Sequence, residues 1–256
     1  MPSQIHPSAV VSPQASIASG VVVGPWCVVD AHASLDSGVV LESRVRVYGG
    51  TTVGANTRVF DGAILGADPQ DLKYAGEDTT LNIGENCIIR EYSTLNRGTK
   101  ASGSTQLGSN VLVMAYTHIA HDCIIADECV LANKVQLGGH VSIGRGTVLG
   151  GGVYVQQFSR IGAYSFVGGT QKVERHIAPF SKALGDPLCW AGLNLHGLRR
   201  AKLEPKRQKL IRRQLRDLYR GSDTVKGFLQ ANKRELDPYF AEFFQNWQGG
   251  LLPKSS

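Results

Sequence analysis

An aliphatic residue recurs at every sixth position through the first two thirds of the chain. Of the 29 positions spaced six apart from Ile5 to Val173, 26 are isoleucine, leucine or valine, although these residue types account for only 61 of the 256 residues. An α-helix repeats near 3.6 residues and a strand near 2, so neither element alone explains this spacing. Period six predicts short strands joined by regular turns, with three strands to a coil and one aliphatic side chain of each strand pointing inward.

The residue after the aliphatic one is often glycine, as at Gly24, Gly54 and Gly144. Because glycine adopts positive φ without steric cost, these positions are predicted to be turns. The repeats resemble those of the hexapeptide family, whose fold is the left-handed parallel β-helix, and the left hand is implied by that resemblance alone. We therefore predict an all-β fold, a left-handed parallel β-helix of about nine or ten coils with roughly 18 residues per coil, followed by a small C-terminal α-helical domain.

Two segments interrupt the series without changing its phase: residues 67–82 and residues 98–106. Loops that leave a solenoid usually carry function on one face of it. The first segment contains Gln70, Asp71 and Lys73, a density of polar side chains that favours a functional loop over a tolerated insertion.

The six-residue pattern ends after Val173. Residues 176–194 are predicted to be a linker, and the pattern then becomes helical. We therefore predict two domains: a β-helix of residues 1–189, which would carry the active site, and an α-helical domain of residues 190–256.

Three helices are expected in the C-terminal domain. Proline favours the first turn of a helix and short polar residues favour the position before it. The first helix is predicted to begin at Pro205, the second after the capping candidates Ser222 and Asp223, and the third at Pro238.

Composition and the N-terminal residues exclude several classes of protein. A hydrophobic fraction of 42% is enough for a core and excludes a disordered chain. No apolar run approaches the roughly 18 residues needed to cross a bilayer, and the first residues lack the features of a signal peptide. The five cysteines form no CxxC pair, which argues against a disulfide framework or a zinc knuckle. We expect a cytoplasmic protein with no membrane insertion.

The positive charge is confined to the C-terminal part of the chain. The formal net charge is +6, yet residues 1–189 carry 13 basic and 15 acidic side chains, whereas residues 190–256 carry 14 and 6. Such a balance indicates either nucleic acid or an acidic partner. Because ten of the basic residues lie between Arg199 and Arg220, around a predicted amphipathic helix, we expect an acidic partner and no nucleic acid.

Three of the seven histidines lie close together in the predicted coils: His118, His121 and His140. With about 18 residues per coil, Asp122 should lie beneath His140, and a further coil leads to Gln156 and Gln157. Three interpretations of this polar column remain open. The column could contain a general base that works near neutral pH, or it could bind a zinc ion with an open position as in a hydratase. It could also be polar surface at a contact between chains.

Five segments, in this order and spacing, resemble the UDP-N-acetylglucosamine O-acyltransferase family: ADPQDLKYAGE, THIAHDC, LAN, GGHVSIG and GLNLHGLRR. The resemblance implies an acyltransferase that moves a (3R)-3-hydroxyacyl group from acyl-carrier protein to the 3-position of UDP-N-acetylglucosamine, the first step of lipid A biosynthesis. It also implies a homotrimer and no metal or other cofactor. The alternative is a histidine-zinc hydratase of the carbonic-anhydrase type on the same fold.

The resemblance implies a role for individual residues. His121 would be the general base, Asp122 the residue that orients or polarises it, and the backbone N–H of Gly139 a donor to the oxyanion. Adjacent side chains of an extended strand point apart, which counts against contact between His121 and Asp122. Around the sugar and the acyl chain the resemblance places Gln70, Asp71, Lys73, His118, His140 and Gln157.

The resemblance extends to the nucleotide and to the end of the acyl chain. It places Asn194 and Arg200 near the nucleotide and makes Gly169 the ruler of acyl length, so that a long hydroxymyristoyl-like donor is expected. The sequence departs from the family pattern at Gln156, Pro187, His196 and Ala201. The departures at His196 and Ala201 affect the expected nucleotide contacts, and Pro187 affects the contact with the acyl tail. Glutamine at position 156, where the family often has histidine, implies that this position is not essential to proton transfer.

Overall fold

The computed structural model describes residues 2–220 and 224–254. The aliphatic series forms the interior of a left-handed parallel β-helix, because each short strand turns one member of the series inward before the chain turns a corner. Within the described residues the strands, in chain order, are β1 (Gln4–Ile5), β2 (Val10–Val11), β3 (Ser16–Ile17), β4 (Val22–Val23), β5 (Val28–Val29), β6 (Ser34–Leu35), β7 (Val40–Leu41), β8 (Arg46–Val47), β9 (Thr51–Val53), β10 (Arg58–Val59), β11 (Ile64–Ala67), β12 (Thr80–Ile83), β13 (Ile88–Ile89), β14 (Thr94–Asn96), β15 (Ser104–Leu107), β16 (Leu112–Val113), β17 (His118–Ile119), β18 (Ile124–Ile125), β19 (Val130–Leu131), β20 (Gln136–Leu137), β21 (Ser142–Ile143), β22 (Val148–Leu149), β23 (Tyr154–Val155), β24 (Arg160–Ile161), β25 (Phe166–Val167), β26 (Lys172–Val173), β27 (Ser181–Leu184) and β28 (Cys189–Leu193).

Three sheets form the faces of the β-helix, and each receives every third strand. Sheet 1 runs from β1 through β25 to β27 and β28, sheet 2 runs from β2 to β26, and sheet 3 runs from β3 to β24. Most neighbouring strands pair residues 18 apart, as in Val22↔Val40. The pairs Val53↔Ile83 and Ile83↔Leu107 have offsets of 30 and 24 residues. Because both offsets are multiples of six, the phase survives both interruptions, as the sequence predicted.

Both interruptions leave the β-helix at the same edge. We name the edges by the sheets that the chain connects there: the 1–2 corner, the 2–3 corner and the 3–1 corner. The loops comprise residues 68–79, between β11 and β12, and residues 97–103, between β14 and β15. They are shorter than predicted because residues at the ends of the predicted segments pair in strands. Since β11 and β14 belong to sheet 2 and β12 and β15 to sheet 3, both loops project from the 2–3 corner.

Most coils bury a second side chain per strand that the six-residue pattern did not predict. The residue two positions before the aliphatic one is also buried, as at Val21. Burial raises the pKa of the thiols at this position, to about 12 for Cys123 and Cys129, so these side chains are packing residues and not nucleophiles. The free cysteines that occupy it are Cys27, Cys87, Cys123 and Cys129.

The prediction that Gly24, Gly54 and Gly144 adopt positive φ is wrong. Positive φ occurs instead three residues before the aliphatic position, where many residues are not glycine, as at Asp122 with φ of 60°. Gly54 is required for a different reason, because a Cβ on it would lie only 2.6 Å from the carbonyl carbon of Gly84 in the next coil. Glycine after the aliphatic residue therefore permits close stacking of the coils.

The predicted linker at residues 176–194 contains a β-hairpin. β27 pairs antiparallel with β28 and parallel with β25, so sheet 1 continues beyond the end of the repeat. Phe166 pairs with Lys182, an offset of 16 residues, and this change of spacing hides the strand from the six-residue pattern. The predicted domain boundary between residues 189 and 190 lies inside β28, and the division into two domains stays a prediction.

Four helices follow in the described part of the chain: α1 (Leu195–Arg200), α2 (Pro205–Arg220), α3 (Val225–Asn232) and α4 (Pro238–Phe243). Helices begin at Pro205 and Pro238, as predicted. The predicted caps Ser222 and Asp223 lie outside the described residues, and Thr224 caps α3 by accepting a backbone N–H at 3.2 Å. Among residues 2–220 and 224–254, no helix combines the length and the apolar character that crossing a membrane requires.

The helices pack on the end of the β-helix and place α4 near sheet 3. Buried Ile211, Leu215 and Phe240 belong to one continuous apolar core with the coils. Arg160 of β24 donates from Nη1 to the backbone oxygen of Gln245 at 2.6 Å. This bond holds the segment after α4 against the face of sheet 3.

Candidate active site

His121 and Asp122 lie in the turn after β17, at the 2–3 corner from which both loops project. The Nδ1 atom of His121 is 2.8 Å from Oδ2 of Asp122, and both side chains are buried. The expectation that adjacent side chains point apart is wrong here. Because Asp122 has a φ of 60°, its backbone is not extended and its carboxylate turns back beside the imidazole.

The second loop supplies hydrogen-bond donors to Asp122. The backbone N–H of Thr99 donates to Oδ1 at 2.9 Å, the Thr99 hydroxyl donates to Oδ2 at 2.7 Å, and Ser102 donates to Oδ1. Burial opposes ionisation of the carboxyl, but the hydrogen bonds from Ser102, His121 and Thr99 outweigh it and lower the pKa of Asp122 to about 2. Asp122 is therefore an anion at neutral pH.

His140 lies one coil beyond Asp122, as the spacing of 18 predicted. Its Nε2 is 3.6 Å from Oδ2 of Asp122, and its ring stands edge-on to His121 with 5.1 Å between centroids. One coil further on, Gln157 lines a cavity together with His140, but it does not stack on the imidazole. Phe158, 18 residues after His140, stacks on it with a centroid distance of 4.6 Å, while Gln156 and Gln157 are exposed in the same turn.

Gly139 lies directly against the His121 ring. A Cβ on Gly139 would lie 2.7 Å from Nε2 of His121, so a larger residue would displace the imidazole. The hydrogen bonds among residues 2–220 and 224–254 do not use the Gly139 N–H. These contacts place the backbone of Gly139 beside the nitrogen that would accept a proton.

His118 lies on β17 and faces outward from sheet 2. Its Nδ1 is 2.7 Å from the Thr94 hydroxyl. Burial, with a smaller effect from nearby His121, lowers the pKa of His118, so its ring is neutral near pH 7. The described side chains that could together hold a metal ion are His121, Asp122 and His140, and not the three histidines that the hydratase interpretation required.

The first loop carries three of the predicted substrate-binding residues. Gln70 and Lys73 are exposed and Asp71 is half-buried. Oδ1 of Asp71 accepts the backbone N–H of Lys73 at 3.0 Å, which rigidifies the loop around these side chains. The loop shares the 2–3 corner with His121, so the fold brings these residues to the same edge of the molecule.

Other predicted residues lie at different edges. Asn194 is buried and donates from Nδ2 to the backbone oxygen of Tyr164 at 2.8 Å, and Arg200 donates from Nη2 to the backbone oxygen of Glu128 at 3.3 Å. Tyr164 and Glu128 belong to the 3–1 corner, whereas Gly169 lies at the 1–2 corner. A single chain therefore does not bring the residues predicted for the nucleotide or the acyl end beside His121.

Two cavities adjoin the histidines. One, of 560 Å³, extends from Asp122 and His140 across sheet 3 to Arg145 and α4. The other, of 740 Å³, lies between His140 and the segment around His176. Sequence reasoning missed α4 as part of the wall because nothing in its pattern indicates where the helix packs.

Sequence reasoning also missed Phe158, Thr99 and Ser102. The coil spacing of 18 could have identified Phe158, since it is the residue that follows His140 by one coil. No comparable signal points to Thr99 or Ser102, because they lie in a loop outside the repeat.

Comparison with known proteins identifies two parts of the chain. Residues 104–139 match the family model described as bacterial transferase hexapeptide (six repeats). Residues 177–251 match the model described as Udp N-acetylglucosamine O-acyltransferase, domain 2.

Similar proteins match most of the chain. It is 43% identical over 205 residues to the acyl-[acyl-carrier-protein]--UDP-N-acetylglucosamine O-acyltransferase of Bartonella henselae, covering 80% of this chain and 75% of the relative. It is 40% identical over 234 residues to the Rhizobium johnstonii enzyme of the same name, covering 91% and 86%. The structure of LpxA from Acinetobacter baumannii aligns with a TM-score of 0.91 at 34% identity, covering 97% of this chain and 99% of that one. By its identity to these relatives over most of its length, the chain belongs to the UDP-N-acetylglucosamine O-acyltransferase family.

Proposed function

We propose that the chain transfers a (3R)-3-hydroxyacyl group from acyl-carrier protein to the 3-hydroxyl of UDP-N-acetylglucosamine, with His121 as the general base. The names of the relatives at 43% and 40% identity support the acyl donor and the sugar nucleotide, and favour this activity over a zinc hydratase. The observation that carries the mechanism is the buried pair of His121 and Asp122, with 2.8 Å between Nδ1 and Oδ2.

The pair fixes which nitrogen of His121 accepts a proton. An ionised Asp122 can only accept, so Nδ1 carries the hydrogen and Nε2 carries the lone pair. Nε2 takes the proton of the sugar hydroxyl as the hydroxyl oxygen attacks the thioester carbonyl. The Asp122 anion stabilises the imidazolium that forms.

The second half of the reaction returns the proton. The tetrahedral intermediate collapses with cleavage of the carbon–sulfur bond, and the departing thiolate takes the proton from Nε2 of His121. One carbon–oxygen bond has then formed, one carbon–sulfur bond has broken, and the base is regenerated. The oxyanion requires a donor already in place, and the Gly139 N–H beside His121 is proposed for this role.

The substrate-binding residues group by corner. Gln70, Asp71 and Lys73 on the first loop, with His118, His140 and Gln157 on the coils, are proposed to contact the sugar and the acyl chain. Arg200 and Asn194 are proposed to contact the nucleotide, since a guanidinium offers a diphosphate charge-assisted hydrogen bonds. As Arg200 contacts the 3–1 corner of its own chain, this proposal requires the nucleotide to lie between two copies.

A homotrimer would meet that requirement. The outward positions of sheet 1, which alternate with the buried series, are mostly apolar and only partly covered: Val22, Val40, Ile88, Leu112, Val130, Val148 and Phe166. Arg58 of β10 interrupts this face between Val40 and Ile88, but from Ile88 to Phe166 it is continuously apolar. Such an apolar face favours burial against another copy. We expect light scattering after size-exclusion chromatography to give three times the 27.6 kDa chain mass, and a monomer that retains full activity would contradict the shared site.

The acyl chain is proposed to lie along sheet 2. Gly169 is at the 1–2 corner, three coils beyond the coil of His118, which corresponds to about 14 Å along the helix axis at the usual strand spacing. The width of the sheet adds to this length, so the groove suits a long acyl chain. There is little space at position 169, since a Cβ there would lie 3.1 Å from the backbone oxygen of Gly151. A residue larger than glycine is proposed to shorten the groove.

The charge of α2 fits an acidic carrier protein. Its exposed side chains are mostly basic: Lys206, Lys209, Arg212, Arg213 and Arg216. A field of this sign speeds the encounter with an acidic partner more than it tightens the complex. A cytoplasmic location belongs to the same proposal, since all five cysteines are free thiols, as is usual in a reducing compartment.

A donor panel tests the function. Purified protein is incubated with UDP-N-acetylglucosamine and acyl-carrier protein charged with 3-hydroxyacyl groups from hydroxydecanoyl upward, and the products are identified by mass spectrometry. We expect the 3-O-acylated nucleotide, formed fastest from hydroxymyristoyl donors. A parallel reaction with the 3-amino sugar nucleotide distinguishes ester from amide formation, and no product with any donor would contradict the proposal.

A further inference from the structure

The loop of residues 97–103 does more than fill a gap between strands. It places three donors on the carboxylate of Asp122: the backbone N–H of Thr99 at 2.9 Å, the Thr99 hydroxyl at 2.7 Å, and the hydroxyl of Ser102. Thr99 is itself buried, and its hydroxyl oxygen accepts the backbone N–H of Ala101 at 3.2 Å. The hydroxyl hydrogen is thereby directed at Asp122.

We propose that Thr99 and Ser102 are positioning residues of the acyl transfer, which hold the Asp122 carboxylate in the one orientation that presents Oδ2 to Nδ1 of His121. This inference rests on the proposed function, since it assumes that His121 is the base. It assigns a purpose to the second loop, which interrupts the six-residue series.

The orientation of the Asp122 carboxylate must be restrained because two histidines lie close to it. Nε2 of His140 is only 3.6 Å from the same Oδ2 that bonds His121. A small rotation of an unrestrained carboxylate would exchange one histidine for the other. The donors of Thr99 occupy both carboxylate oxygens and oppose that rotation, because each bond to a charged group is worth more than a neutral one.

The same loop is bonded to the end of the first loop. The Thr79 hydroxyl donates to the backbone oxygen of Gly98 at 2.6 Å, and the backbone N–H of Thr80 donates to the oxygen of Gly103 at 3.0 Å. Movement of residues 68–79, which carry Lys73 and its neighbours, would therefore shift the backbone next to Thr99. The second loop lies between the proposed sugar contacts and the base.

Within residues 2–220 and 224–254, few titratable groups face the His121–Asp122 pair. His118 precedes the pair on β17, His140 faces it from the next coil, and Cys123 follows it with a thiol whose pKa burial raises to about 12. Cys123 is thus protonated throughout the working pH range. A change in the pH–rate profile caused by the second loop would arise from the histidines and Asp122.

The experiment compares Thr99→Val, Thr99→Ser and Thr147→Val. Valine keeps the shape of threonine and removes only the hydroxyl, while serine keeps the hydroxyl. Thr147 is a fully buried control at the 3–1 corner, whose hydroxyl donates to the backbone oxygen of Gly162 at 2.9 Å. Activity is measured with acyl-carrier protein and UDP-N-acetylglucosamine, and the thermal unfolding midpoint of each variant is recorded.

Thr99→Val should lower kcat about 10–100-fold, as expected for loss of a hydrogen bond to a buried charge, and leave KM for both substrates within about twofold. Loss of the donor should raise the pKa of Asp122 and leave its charge less neutralised. The carboxylate then favours the protonated imidazole beside it more strongly, which moves the acidic limb of the kcat profile to higher pH. Thr99→Ser should restore most of kcat, and Ser102→Ala should give a smaller loss of the same kind. Thr147→Val should lower the unfolding midpoint without lowering kcat at a temperature where it stays folded.

Two results would overturn the inference: a Thr99→Val enzyme with wild-type kcat and pH profile, or a Thr99→Ser enzyme as impaired as Thr99→Val. Failure of the proposed function has a different signature. In that case the wild-type protein makes no acylated nucleotide, or His121→Ala is fully active whatever residue stands at position 99.

Discussion

Replacing His121 with alanine should lower kcat by about 10²–10⁴, the usual contribution of a positioned general base. The sugar hydroxyl is a weak nucleophile unless its proton is removed as it attacks, and no other described side chain occupies the position of the His121 Nε2 beside Gly139. KM for the acyl donor should change little, because the base acts on the transition state and not on binding. Steady-state kinetics with acyl-carrier protein and UDP-N-acetylglucosamine provide the measurement.

A matched control separates the chemistry from the loss of a histidine as such. His32 lies at the same 2–3 corner in an earlier coil and, like Asp122, has a positive φ, of 62°. It is exposed and lies four coils before the turn that carries His121 and Asp122. His32→Ala should keep wild-type kcat, and a His121→Ala enzyme with undiminished kcat would show that another group removes the proton.

Asp122→Asn should lower kcat about 10³-fold. In a serine-protease triad, where the carboxylate likewise fixes the imidazole tautomer, the corresponding change lowers kcat about 10⁴-fold. The amide has the size of the carboxylate but presents an NH₂ group to neighbours that are themselves donors, Thr99 and Ser102. The amide can also donate to Nδ1 of His121. The proton of His121 would then reside on Nε2, which could no longer accept one.

The pH dependence of stability tests the charge of Asp122 directly. Its folded-state pKa is about 2, below the ordinary value of 3.8, so ionisation stabilises the folded state above pH 3.8 and that contribution disappears as the pH falls towards 2. The difference in the free energy of unfolding between wild type and Asp122→Asn should therefore shrink across this interval. Urea titrations at several pH values measure it, and a constant difference would contradict an ionised, hydrogen-bonded Asp122.

The six-residue repeat predicted the fold well because each coil repeats the same arrangement of three short strands and turns. One aliphatic side chain per strand fills the interior, and the offset of 18 placed His140 correctly over Asp122. The same regularity failed where the spacing changed. The pairing Phe166↔Lys182 breaks the period by two residues, so the strand after the repeat looked like a linker.

The site was less predictable because it depends on departures from extended backbone. Contact between His121 and Asp122 arises from positive φ at Asp122, which the identity of an aspartate does not signal. Thr99 reaches Asp122 from a loop whose path the repeat does not describe. The roles of Lys73 and Arg200 come from the family resemblance and remain predictions, since a single chain leaves them at separate corners.

The stacking of whole coils has a consequence for how such an enzyme can change its substrate. The β-helix lengthens or shortens only in complete turns of the chain, because a partial insertion in a strand would rotate the aliphatic series out of the interior. Each added or deleted coil between His118 and Gly169 would alter the proposed acyl groove by about 4.8 Å, close to the length of about four methylene groups. Large changes in the preferred acyl-chain length would thus come in steps of one coil. Smaller changes in that length would come from the side chain at position 169.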